Sequence, residues 1–309
     1  MQGKGKSFGI IMIALTFVTC AGFFLIAERT SKAAVDSMIE QQVMGLLAGI
    51  KTEVEDYNYS NFFTIHIAES LPVIKDPSVP IKKKAELLFG VKDADPRIIG
   101  LNITDLQGNS YLVEGPLYNF SERTYFKEAL KGKEIVFGPI YNKVSNLLTV
   151  FYSSPLYDEN GNIVNTLFLA AHGEVLSKIC SRNKIGKDGE IIIVRRSTGI
   201  VIADSNEENV LKKNIFDEVA ETGIKDLAEL TGNIMAGESL FTFVDTPYGV
   251  RFANGFVPID GTDWSVVVRV NYADFTEPLN KQRIFLVTFG LIMLALGTAV
   301  SVIFIRRQN

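Results

Sequence analysis

The 309-residue sequence holds only two cysteines and two histidines, so it is poor in the side chains most used for redox chemistry, metal binding and acid–base catalysis near neutral pH. Cys20 falls inside an apolar run and Cys180 stands alone further on, so no intramolecular disulfide is expected and each reads as a small buried apolar residue. His172-Gly173-Glu174 could open a metal site, but no nearby Cys or His supplies a third ligand. The zinc-deaminase pattern begins in the same way and then requires Pro-Cys-x-x-Cys, which is absent. No Ser-His-Asp order, phosphate-cradling glycine loop or paired-carboxylate motif is present, which sets an enzyme well behind a binding protein, and no cofactor is implied. A basic excess is lacking too: 31 Lys and Arg against 35 Asp and Glu give a net charge of −4, so there is no electrostatic footprint for nucleic acid.

What the chain does have is apolar residues gathered at its ends. Residues 8–27 form a run of twenty without a charge and residues 284–305 a second of twenty-two, each long enough for a membrane core of about 30 Å. Two transmembrane helices are therefore expected. Lys4 and Lys6 before the first, and Arg306 and Arg307 after the second, would put residues 1–7 and 306–309 in the cytoplasm and the region between outside the cell membrane. A cleaved signal peptide over residues 1–34 is the competing reading, opposed by Glu28, Arg29 and Lys32 crowding the cleavage region.

Proline is absent from residues 28–71, where Val35, Ile39, Val43, Leu46, Ile50, Val54 and Tyr57 recur at spacings of three and four. That is one apolar stripe on a stem helix, which needs a partner surface: the chain's own domains, or a second copy in a homodimer. Pro72, Pro77 and Pro80 end it, and a short helix follows from residue 81. Alternating runs then predict strands at residues 97–104, 110–114, 134–137, 148–155 and 163–171, with a break at Gly138-Pro139. A shorter version of the pattern follows at residues 190–195, 200–204, 238–244, 250–258 and 264–270. The reading is an α+β chain: the stem, one antiparallel-sheet domain over residues 72–180, a second over 181–272, a connecting helix over 273–283, and the two flanking spans.

Between the second and third strands lies Ser121-Glu122-Arg123-Thr124-Tyr125-Phe126, with Gly132 downstream. Ser121 as N-cap and Gly132 as stop predict a helix of about ten residues, on which Arg123 neighbours aromatic rings. An arginine beside aromatic walls offers a carboxylate a planar fork of donors in a water-poor setting; the alternative is a solvated arginine on an amphipathic helix. For the aromatics the alternative is core packing.

This motif, with Gly138-Pro139, Ser154-Pro155-Leu156, Ile185-Gly186-Lys187-Asp188-Gly189 and Trp264-Ser265-Val266-Val267, resembles the double Cache (dCache) sensors, the paired PAS-like extracytoplasmic domains of bacterial chemoreceptors and sensor kinases. The resemblance implies ligand binding in the first, membrane-distal domain and relay through the second. It also implies a pocket containing Tyr118, Arg123, Tyr125, Phe126, Tyr141 and His172, in which Arg123 and the aromatic after it hold a carboxylate. In amino-acid-binding members a second tyrosine and an aspartate hold the ammonium; here Phe126 and His172 stand in their place. The expected ligand is thus a small organic acid without an α-amino group, an amino-acid-like ligand or a degenerate pocket being the alternatives. Output is expected from a cytoplasmic domain or partner not in this chain.

Overall fold

The computed structural model describes residues 2–111, 117–143 and 145–307. Residues 112–116, which include the end of the strand expected at 110–114, lie outside the described residues, as do Met1, Gln308 and Asn309 of the expected cytoplasmic ends.

One helix, α1 (Gln2–Ser70), runs the length of the molecule. Val35, Ile39, Val43, Leu47, Ile50, Val54 and Tyr57 along it are no more than 7 % exposed. Burying a side chain of this kind contributes about 1.5–3 kcal/mol, so the stripe rather than helix propensity holds α1 in place. Leu47 is the buried member of its turn and Leu46 the half-buried one, because a 3.6-residue period drifts against strict three-and-four spacing.

Short helices α2 (Pro72–Lys75), α3 (Ile81–Leu88) and α4 (Val91–Ala94) lead into the first sheet. Its chain order is β1 (Ile98–Thr104), a two-stranded ribbon β2 (Asn109–Tyr111) and β3 (Leu117–Asn119), α5 (Thr124–Ala129), β4 (Ile135–Tyr141), β5 (Leu148–Tyr157) and β6 (Ile163–His172). The sheet itself is four-stranded, β1-β6-β5-β4. The expected five-strand pattern is corrected here: β2 leaves the sheet and pairs with β3, turned aside where the Asp105 carboxylate accepts from the backbone N–H of Gln107 and Asn109 at 2.9 and 2.8 Å.

Helix α6 (Glu174–Arg182) connects to the second lobe. There β7 (Glu190–Arg195), β8 (Val201–Asp204), a 3-10 turn at Glu207–Asn209, α7 (Ile215–Thr222), α8 (Lys225–Ala236), β9 (Leu240–Asp245), β10 (Arg251–Ile259) and β11 (Trp264–Asn271) build an antiparallel sheet of order β8-β7-β11-β10-β9. Helix α9 (Ala273–Arg307) closes the chain. Both sheets present one face to α1 and carry their own helices on the other. At Gly255 the stem comes so near that a Cβ would lie 2.7 Å from Val43 Cγ1 and 2.8 Å from Leu47 Cδ1.

The two lobes also meet directly. Gly138 in β4 has φ +112°, and a Cβ at this position would sit 2.8 Å from the Thr149 carbonyl, so only glycine is accommodated. Its own carbonyl accepts from the Trp264 indole at 3.2 Å and from Arg195 Nη2 at 3.3 Å, both on the second lobe. The expected strand break at Gly138-Pro139 is a bulge instead, and β4 continues through it.

The expected membrane spans are corrected. Among the described residues no helix is long and apolar enough to cross a membrane. The apolar runs are the ends of longer helices: the first passes without a break into the charged stem, and the second is continuous with the expected connecting helix. They pack together, with Gly297 close enough to Thr16 that a Cβ would be 3.3 Å from its methyl, and they border a cavity of about 960 Å³ whose lining includes Phe24, Val35, Leu286 and Phe289 beside Glu28, Lys32 and Arg251. The expected localisation in the cell membrane and the membrane as a partner rested on those spans and are withdrawn with them.

Candidate functional site

Strand alternation sorts the first sheet into two faces. Val150, Tyr152, Leu167, Leu169 and Ala171 turn to the stem, where Tyr152 donates to Asn58 Oδ1 at 2.7 Å. Phe151, Phe168 and Ala170 turn the other way and are covered by α5. Between α5 and this second face lies a cavity of about 380 Å³, within the range of small-molecule sites.

Aromatic rings form its walls. Tyr125, 2 % exposed, stacks on Phe151 with centroids 4.6 Å apart and packs against Phe168 at 5.2 Å, while Phe120 meets Phe168 at 4.7 Å. Burial pushes the Tyr125 phenol well above its usual pKa, against the opposing pull of Arg123, so it is a neutral hydroxyl. Phe137 and Ile140 of β4 complete the apolar lining.

Arg123 supplies the charge. It holds an extended backbone conformation immediately before α5, and its side chain takes no part in capping. Its Nη2 donates to Tyr118 Oη at 3.1 Å, which aims the guanidinium along the cavity wall. The expected N-cap, Ser121, donates instead to Asn119 Oδ1 at 2.5 Å, and α5 spans six residues where about ten were expected. Lys143, Asn102 and Ser145 also line the cavity. Glu122 does so too, but it is engaged with Lys127 at 2.8 Å. Among the described residues no carboxylate pairs with Arg123 or Lys143.

Of the six residues expected at the pocket, Arg123 and Tyr125 line the cavity and Tyr118 holds Arg123. Phe126 is 3 % exposed within the aromatic cluster and is not part of the lining. Tyr141 is 56 % exposed, because the β4 bulge shifts the alternation and Ile140 takes the inward position. His172 pairs with Thr149 beyond the lining residue Ala170; its carbonyl accepts from Tyr57 Oη at 3.0 Å and its Nδ1 lies 3.5 Å from Glu174 Oε2. Among the described residues no group of three His, Cys, Asp or Glu side chains is placed to hold a metal. Sequence reasoning missed Asn102, Phe120, Phe137, Lys143, Phe151, Phe168 and Ala170; β5 and β6 are buried on both faces, so no alternation marks residues 151, 168 and 170.

The double Cache family profile, described as a Cache domain, matches residues 27–279. Among curated proteins none matches the sequence. Among solved structures, the sensory domain of the Campylobacter jejuni chemoreceptor Tlp3 with isoleucine bound is 14% identical with a TM-score of 0.61, covering 79% of this chain and 97% of that one. The ligand-binding domain of the same receptor in complex with L-norvaline is 14% identical with a TM-score of 0.60, covering 79% and 95%. The extracellular domain mmHK1S-Z2 of a candidate histidine kinase is 13% identical with a TM-score of 0.61, covering 77% and 98%. At these identities the likeness is one of fold.

Proposed function

The chain belongs to the double Cache family of extracytoplasmic sensor domains, a sensory and not a catalytic module, and from that premise we propose that the first-lobe cavity senses a small organic acid. The observation that carries the reading is Arg123: a guanidinium on the wall of an aromatic cavity, oriented by Tyr118 and without a carboxylate partner among the described residues. A charge-assisted contact to such a group is worth about 1.5–3 kcal/mol, more than a neutral hydrogen bond. Tyr118 and Tyr125 frame the carboxylate, as the family resemblance implies. The family resemblance sets Phe126 and His172 in place of the ammonium-binding groups of amino-acid sensors, and Ala170 and Phe168 are the β6 residues on the lining, so that strand offers an amine no carboxylate. Tyr141 and His172 act from outside the cavity on this reading.

The Tlp3 structures hold amino acids, and that likeness favours a second reading, an amino-acid sensor of the same family. Thermal unfolding of the full chain against a panel of organic acids and L-amino acids separates the two. An acid should raise the melting temperature, and Arg123→Gln should abolish the shift. Stabilisation by an ordinary L-amino acid alone favours the second reading, and no shift with any compound removes both.

The partner proposed for the stem is a second copy of the chain. Tyr59, Phe63, Ile67 and Leu71 recur at four-residue spacing on the outer side of α1 and just past its end and are 70, 52, 51 and 41 % exposed, with Tyr59 stacked on Phe63 at 6.2 Å. An uncovered apolar stripe of this kind is what a parallel helix pair buries. Signalling of the chemoreceptor type would then pass from the cavity through the stem pair to an output partner outside this chain.

A further inference from the structure

We infer that the first-lobe cavity is a dianion site, in which Lys143 is the second anion contact beside Arg123, so that its ligand is a small dicarboxylate. The inference rests on the carboxylate reading of the cavity and narrows it. Two cationic residues from separate elements line one cavity: Arg123 from the segment before α5 and Lys143 from the turn between β4 and β5. Neither pairs with a carboxylate among the described residues, and Glu122, the acidic residue on the same lining, is committed to Lys127 at 2.8 Å. The turn carrying Lys143 is closed at its ends, where Asn142 N–H donates to the Leu147 carbonyl at 2.9 Å and Asn146 N–H to the Asn142 carbonyl at 2.8 Å.

A monocarboxylate held by Arg123 leaves Lys143 to solvent, without an anion partner among the described residues. An α-amino acid brings an ammonium along with its carboxylate, and so neutralises less of the positive charge of Arg123 and Lys143 than a dicarboxylate does. A dicarboxylate neutralises both, and the neutral groups of Asn102 and Ser145 remain to bond a hydroxyl or keto oxygen between its ends. The aromatic walls strengthen the Arg123 contact by limiting water around it, while Lys143, being exposed, acts from the rim.

The test is calorimetric titration of the full chain with succinate and with butyrate, a monocarboxylate of the same carbon count, repeated on Lys143→Met and Lys143→Arg. The side chain of Lys143 is exposed, so neither variant disturbs a core, and an unchanged melting temperature without ligand verifies that. Succinate should bind about two- to five-fold more tightly than butyrate, the ratio an ion contact at an exposed lysine supplies. Lys143→Met should bring that ratio close to one and Lys143→Arg should restore it. Equal affinity for the two acids in the unmodified chain, or an unchanged ratio in Lys143→Met, overturns the dianion inference while leaving the carboxylate reading intact. Binding of neither acid, together with a null result across the wider acid panel, removes the carboxylate reading and this inference with it.

Discussion

Gly255→Ala tests how tightly the second lobe is seated on the stem. The added methyl would lie 2.7 Å from Val43 Cγ1 and 2.8 Å from Leu47 Cδ1, and both of those side chains are 0 % exposed, so neither has free space to retreat into. Overpacking of a closed core costs about 1–3 kcal/mol. Alanine recovers roughly 0.5–1 kcal/mol of this because it loses less freedom than glycine on entering a strand. The net expectation is a loss of up to about 2.5 kcal/mol, read as a fall of up to roughly 8 °C in melting temperature. Val43→Ala alone should cost about 2 kcal/mol through its lost burial and cavity. In the double variant the new methyl occupies space vacated by Val43, so the combined loss should fall short of the sum by at least about 0.5 kcal/mol. Chemical denaturation of the four proteins of this cycle measures it. Strict additivity, or a Gly255→Ala variant more stable than the parent, would refute the account of the stem contact.

Two further outcomes follow from named contacts. Burial raises the Glu69 carboxyl above its ordinary pKa, with the Ser154 hydroxyl at 2.6 Å and His66 pulling it back and Glu134 adding to the rise. A raised folded-state value means that the native state gains stability below the ordinary carboxylate pKa and loses it as pH rises through the folded value, so the stability difference between parent and Glu69→Gln should shift in favour of the parent on acidification; a difference independent of pH would count against the buried carboxyl. Phe63→Asp, at a half-exposed position, should leave the fold stable and convert a stem dimer to monomer in sedimentation velocity, whereas a parent chain that is monomeric throughout removes the dimer proposal.

The stem was legible because a 3.6-residue stripe without proline has one structural solution, and the sheet strands because alternation and turns punctuate them. The membrane spans were over-read: run length alone does not say whether an apolar helix end faces lipid or, as around Thr16 and Gly297, another helix of the same chain. Arg123 and Tyr125 could be found from their motif. The rest of the lining could not, because β5 and β6 are buried on both faces, and a strand such as Leu148–Tyr157 gives no sign of which parity meets the stem. Ile140 in place of Tyr141 depends on a bulge whose existence is a property of the pairing with β5, not of either strand by itself.

The Gly138 carbonyl gives the molecule a second mechanical connection between its lobes. The stem joins them in one path, through side chains packed along a rigid rod. The peptide oxygen joins them in another, running from Phe137 and Ile140 on the cavity wall through one residue to the Trp264 indole and Arg195 guanidinium of the second sheet. Links in parallel, among them the connecting helix α6, share a load in proportion to their stiffness. A helix axis yields little to a shift of its neighbours, whereas a pair of hydrogen bonds at 3.2 and 3.3 Å weakens steeply with distance and angle. A displacement of the cavity wall is therefore taken up first at the Gly138 carbonyl and its neighbour, the Pro139 carbonyl that Arg195 Nη2 also reaches at 3.4 Å, which makes this peptide pair the compliant element beside a stiff rod.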